Sequence, residues 1–228
     1  MKNNNLKKIV ITSVFAAIAF LLTFIFRFKV GFLTFDFKDA VLAMVSLMYG
    51  PLYGVVSAAV VAFLEFLSVS DTGLYGLIMN FISSATFTFV FGIVYKYKRT
   101  FYGAIASVIL SVISVTLIMM IANYFITPYY MGVTRSEVVA LIPSLLLPFN
   151  LTKSVINSAA TLLLYKPVTN ALRRVGVLKK REDGSGKITA KSVVLYTSAL
   201  IIGIVCVLLV LYILNGEFEL LPHFNTKS

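Results

Sequence analysis

Long apolar runs, broken only by short polar stretches, constrain this chain more than anything else in it. About 20 consecutive apolar residues suffice for a helix to cross a hydrocarbon core of roughly 30 Å. Candidate spans fall at 9–26, about 36–49, 52–69, 74–95, 101–126, 149–167 and 192–214. Charged residues are only 13% of the 228 positions, against roughly a quarter in a soluble domain. The expected fold class is therefore an all-α membrane protein, one integral domain with a seventh transmembrane helix appended at its C-terminal side. The second run is too short to cross alone: Ala40 to Gly50 spans only about 16 Å as a helix. That helix either begins inside the preceding loop or enters the bilayer partway.

The formal charge of +11 does not point to nucleic acid, because the basic residues lie between the spans and form no stripe interleaved with aromatics. With the N-terminus inside and seven spans, fourteen of the 20 Lys and Arg fall on the cytoplasmic side and five outside. Lys153 lies within the membrane. This bias predicts a cytoplasmic N-terminus and an extracellular C-terminal tail. The run from Ile9 to Phe26 is long for a signal peptide and lacks a cleavage site, so it reads as a retained first span.

Polar breaks set the remaining organisation. Arg27 to Asp39 reads as an aromatic and polar loop, and Gly50-Pro51 as a turn. Thr127 to Leu147 reads as a long connection of the kind that often forms a lid or binding loop. Within it, Thr134-Arg135-Ser136-Glu137 fits a capping box that opens a short helix ending near Pro143. Lys179 to Lys191 is a charged linker around Asp183-Gly184-Ser185-Gly186.

An ammonium within a bilayer is costly unless it faces a cavity or a partner, which makes Lys153 a candidate site residue. Asn150, three positions earlier, shares its helical face. The competing reading is a lysine that snorkels to the outer interface. Asn123 closes the fifth span at similar depth, either joining the same pocket or bonding a neighbouring helix; Asn80 on the fourth span is a weaker version. Asp36 and Asp39 flank Lys38, and Asp39 opposes a helix dipole. Thr34-Phe35-Asp36 can present polar groups to a ligand. Glu65 neutralises Lys153 or Lys38, or else faces the outer headgroups. Phe32, Phe35, Tyr75, Tyr124 and Tyr129 lie where they can stack on a flat ring.

Patterns for catalysis are missing. No phosphate-binding loop or HExxH motif occurs. The lone His223 lies in the tail, and the single Cys206 sits in a featureless span. Neither an enzyme nor a metal site is expected. Ser13 and Ala17 form a small-xxx-small pair that permits close helix approach, within the chain or to a partner.

Taken in order, several stretches resemble the substrate-binding (S) components of energy-coupling factor (ECF) vitamin transporters, most closely the riboflavin-specific ones. These are Leu33-Thr34-Phe35-Asp36-Phe37, Tyr49-Gly50-Pro51 with Gly54, Asn80-Phe81, Asn123-Tyr124-Phe125, and Leu147-Pro148-Phe149-Asn150 with Lys153. The resemblance covers about 1–175. It implies a six-helix S-component bundle there; the linker at 176–191, the accessory helix at 192–214 and the tail at 215–228 lie outside the family core. It implies a subunit in a bacterial cell membrane that captures riboflavin or a related flavin from outside. Riboflavin would be the transported ligand, with no resident cofactor. The subunit would dock on a membrane coupling protein with two ATPases, Ser13 and Ala17 facing the coupling protein. Asn123, Asn150 and Lys153 would bond the flavin ring edge. The first loop, with Thr34, Phe35 and Asp36, would contact the ribityl chain or ring. Val61, Ala62 and Glu65 depart from the riboflavin-type pattern. An S component for a pterin or thiamin, or a membrane scaffold, is the alternative.

Overall fold

The computed structural model describes residues 2–97 and 100–178, with seven further positions from 190 to 205. The expected linker beyond Leu178, the body of the seventh span and the tail lie outside the described residues. Helix α1 (Lys2–Ile25) leads into a hairpin of β1 (Phe28–Val30) and β2 (Leu33–Phe35). Then come α2 (Lys38–Tyr49), α3 (Pro51–Ser68), α4 (Gly73–Tyr97), α5 (Phe101–Met131), α6 (Arg135–Leu141) and α7 (Leu147–Arg174). Five helical segments among the described residues are long and apolar enough to cross a membrane.

Helix α2 is not one of them. Its 12 residues reach only about 18 Å, and it solves the problem by hiding. Ten of them are buried, because α1, α3, α4 and α7 all pack against it. It lies at the centre of the bundle and begins at Lys38, inside the Arg27–Asp39 stretch, as one of the two sequence readings has it. Lipid-facing apolar side chains lie instead on the outer helices, such as Leu21, Leu52, Phe63 and Ile121.

Small residues let α2 be enclosed so closely. Ser46 is wedged between Gly54 of α3 and Gly92 of α4. A Cβ on Gly92 would stand 2.6 Å from the Ser46 Cβ, and one on Gly54 would collide with the Ser46 hydroxyl. Glycines at these two positions bring three backbones together. The chain turns from α2 into α3 at Gly50, whose φ of 110 suits glycine, and Pro51 opens α3 at the position where its missing N–H costs nothing.

Two stretches differ from the expectation. The first loop is a β-hairpin, pairing Phe28 with Phe35, Lys29 with Thr34 and Val30 with Leu33. Its two-residue turn is made by Gly31, at φ 59, and Phe32. Val30 and Phe35 face inward, against Phe149 and Ile156 of α7. Thr127–Leu147 is not a long loop. Helix α5 runs through Pro128 to Met131 and ends at Gly132 in a left-handed cap. The Thr134–Glu137 capping box is formed as expected. Helix α6 then passes through a π-helical turn, Ile142–Leu146, directly into α7. One proline near a helix end removes a single hydrogen bond, too little to break α5 when its flanks are apolar and packed.

The Ser46 wedge yields a direct test. Gly54→Ala is expected to lower stability in detergent by about 1–3 kcal/mol, the usual cost of overpacking. Ser46→Ala in the same chain should recover part of it by removing the hydroxyl. Thermal unfolding followed by size-exclusion chromatography measures both.

Candidate functional site

The hairpin, the α3–α4 turn and the adjoining ends of α4, α5 and α7 enclose a cavity of about 240 Å³. It opens at the end of the bundle opposite the α1 N-terminus. Apolar walls come from Leu33, Met79, Met119 and Phe149; polar groups come from Thr34, Asn80, Asn150 and Lys153. A few directed polar groups in an otherwise apolar hollow are the usual composition of a small-molecule site.

A buried ionic network forms the wall behind it. Lys153 Nζ donates to Asp36 Oδ2 at 2.9 Å and to the Thr34 carbonyl at 3.2 Å. Asp36 also lies 3.6 Å from Lys38. Lys38 Nζ in turn donates to both oxygens of Glu65, at 2.7 and 2.6 Å. Asp39, in the first turn of α2, accepts a short hydrogen bond from Ser84 of α4. None of Asp36, Lys38, Asp39, Glu65 or Lys153 is more than 7% exposed. Two ammoniums therefore sit among three carboxylates, out of contact with lipid. Such charges persist in a bilayer only when they are paired and hydrogen-bonded. Asp36 lies in the connection between β2 and α2, outside the spans. Burial pushes its carboxyl up, but Lys153 and then Lys38 outweigh that and hold it below the usual carboxylate range.

Each candidate residue now has a place. Lys153 does not snorkel: it lines the cavity and points at Asp36. An ammonium has three donors, and two are used, so one N–H remains for a ligand. Asn150 also lines the cavity, its Nδ2 donating one turn back to the Leu146 carbonyl at 2.8 Å. Asn80 lines it as well, donating to Glu65 Oε2 at 3.1 Å. Asp36 faces a smaller void of about 30 Å³ beside the main one, shared with Lys38 and Glu65. Phe35 packs edge-on against Phe37 and Phe149, supporting the hairpin. Asn123 is fully buried and bonded within α5, donating to the Met119 carbonyl and accepting from Thr127. It lies behind Met119 rather than on the cavity wall. Glu65 resolves to Lys38, and Lys38 belongs to the network rather than to an outer loop.

Several residues had no place in the sequence reading. Asn157 is fully buried. It accepts from the Ala40 N–H and donates to the Asp36 carbonyl, which ties α7 to the start of α2. Its spacing of four from Lys153 was the available signal. At the mouth, Asp71 of the α3–α4 turn pairs with Lys29 at 2.7 Å and Arg27 at 3.7 Å. Tyr130 meets both Phe32 and Tyr75 there, so two of the five aromatics singled out reach the rim. Tyr124 instead lies under Arg135, and Tyr129 is exposed.

Ser13 and Ala17 lie elsewhere. They are exposed on α1 and line an almost wholly apolar groove of about 500 Å³ between α1 and α3, with Leu52, Val56 and Val60.

Comparison with known proteins fits this architecture. The family model described as the substrate-specific component of ECF transporters matches residues 7–165. The riboflavin transporter RibU of Staphylococcus aureus is 32% identical over 180 residues, covering 74% of this chain and 94% of that protein. The riboflavin transporter FmnP of Bacillus subtilis is 29% identical over 171 residues, covering 70% and 90%. A solved S component of a bacterial ECF transporter superposes with a TM-score of 0.64 at 32% identity, over 76% of this chain and all of that one.

The two classes of ion pair should separate cleanly in stability. Asp36→Ala removes the anion shared by two buried ammoniums and is expected to cost about 3–5 kcal/mol. Asp71→Ala breaks only a solvent-exposed pair and is expected to cost less than about 1 kcal/mol. Thermal melts of the purified variants in one detergent decide it.

Proposed function

The chain belongs to the substrate-specific components of ECF transporters, and from that membership we propose that it is the riboflavin-binding subunit of an ATP-driven importer. The observation that carries the reading is the cavity wall made by Lys153, Asn150 and Asn80, polar groups with hydrogen-bonding capacity to spare at one end of an apolar bundle. The flavin ring edge is a row of N–H, N and C=O groups that such a wall can bind. A planar ring fits between apolar walls such as Met79, Met119 and Phe149. The named riboflavin transporters among the relatives support the same ligand.

Mechanistically, the site works by preorganisation. Asp36 and the Thr34 carbonyl fix Lys153, so the ammonium reaches the ligand without first being ordered or desolvated. Asn150 is held by its own helix in the same way. Thr34 on the hairpin faces the cavity, and Asp36 acts behind it through Lys153. Asn123 supports this wall from within α5, one turn beyond Met119. Riboflavin is cargo here, not a cofactor, and the subunit itself catalyses nothing.

On this reading residues 1–175 make up the six-helix substrate-binding domain, followed by the linker at 176–191, an accessory helix at 192–214 and an outer tail at 215–228. Its N-terminus is cytoplasmic in the cell membrane, and its cavity opens to the outside. The α1–α3 groove, with Ser13 and Ala17 at its floor, is where the coupling protein docks, carrying two cytoplasmic ATPases.

Purified protein is expected to carry or take up riboflavin, with flavin absorbance that follows the protein peak. Lys153→Gln keeps a donor for Asp36 but loses the charge, so it should fold and bind riboflavin at least about tenfold more weakly. Colourless protein that ignores riboflavin yet binds thiamin or a pterin would move the reading to another vitamin. Binding of none would favour a scaffold.

A further inference from the structure

Glu65 is the residue that departs from the pattern around it, and its geometry gives it a task. Both of its oxygens accept from Lys38, and Oε2 accepts in addition from Asn80 Nδ2. An ionised carboxylate has no donor. Facing it, the Asn80 amide must therefore turn its NH2 group toward α3. The other end of the amide, Oδ1, accepts no hydrogen bond among the described residues, and Asn80 lines the main cavity. On the reading that riboflavin is the ligand, we infer that Glu65 is a positioning residue. It fixes the Asn80 amide so that the cavity meets a carbonyl oxygen rather than an NH2 group.

The consequence is a rule for the ligand. At Asn80 it must offer a donor, such as a ring N–H or a hydroxyl, whereas at Lys153 it must offer an acceptor. Lys38 sets this pattern from a distance, because its ammonium keeps the Glu65 carboxylate facing both neighbours. Replacing Glu65 by Gln would reverse it. The new amide would accept from Lys38 through its oxygen and donate through its nitrogen to Asn80 Oδ1. The Asn80 amide would then flip and present NH2 to the cavity, donor against donor.

The test is riboflavin titration by fluorescence quenching on detergent-purified, monodisperse full-length protein. Glu65→Gln is expected to weaken binding about tenfold, the loss of one directed hydrogen bond worth roughly 1.4 kcal/mol. In an Asn80→Ala background the same change should cost nothing further, because its effect passes through Asn80. Adding Asn80→Asp to Glu65→Gln restores an acceptor facing the cavity and should bring affinity back to within about threefold of wild type. If Glu65→Gln fails to fold, Lys38→Met with Glu65→Leu removes the charge pair together and leaves nothing to hold the Asn80 amide, so binding should weaken with Asn80 present and not in the Asn80→Ala background. Unchanged affinity in Glu65→Gln, or an equal loss with and without Asn80, would overturn the inference while wild-type binding still stands. Wild-type protein that does not bind riboflavin would instead overturn the functional reading on which it rests.

Discussion

Everything at the ligand end of this bundle depends on the salt bridge between Asp36 and Lys153. It joins the exit of the hairpin to α7 across 117 residues of chain, and it does so where both charges are buried. An isolated ammonium or carboxylate there would be too costly to keep. Together, and with Lys38 and Glu65 behind them, they are tolerated. Removing any one member exposes the cost of the others. The hairpin, α2, α3 and α7 are held in one arrangement by this shared neutralisation, and the cavity is the space that arrangement leaves.

A short helix makes the network possible. Because α2 stops partway, its first turn lies at the level of the cavity floor, surrounded by α3, α4 and α7. Glycines at 54 and 92 then close the other end of α2 around Ser46. The same residues that make α2 too short to span put the charges where a ligand-binding wall needs them.

Much of this was legible in the sequence, for identifiable reasons. Apolar runs reported the spans because the bilayer imposes length directly. Lys153 stood out because a charge in such a run is rare, and Asn150 followed from helical spacing. The Thr134–Glu137 cap was readable because it is local. The hairpin was missed although its signal was present: Phe28, Val30, Leu33 and Phe35 alternate around Gly31, a period of two that composition alone obscures. The end of α5 was missed because Pro128 looks like a breaker, whereas tertiary packing carried the helix past it. The Lys38–Glu65 pair stood only as one of three options for Glu65, since nothing local chooses between partners 27 residues apart on separate helices. Asn123 shows the converse: a polar residue at the right depth that bonds within its own helix and does not line the cavity.

The central claim is that Lys153 is shared, with two donors given to the protein and one kept for the ligand. The most direct measurement is a structure of the riboflavin-bound protein, read at the Lys153 Nζ. The expected result is that Nζ keeps its contact with Asp36 and also lies within about 3.2 Å of a flavin acceptor, the ordinary hydrogen-bond range. A flavin bound with no atom within reach of Nζ, or a Lys153 that has left Asp36 to meet it, would contradict the account.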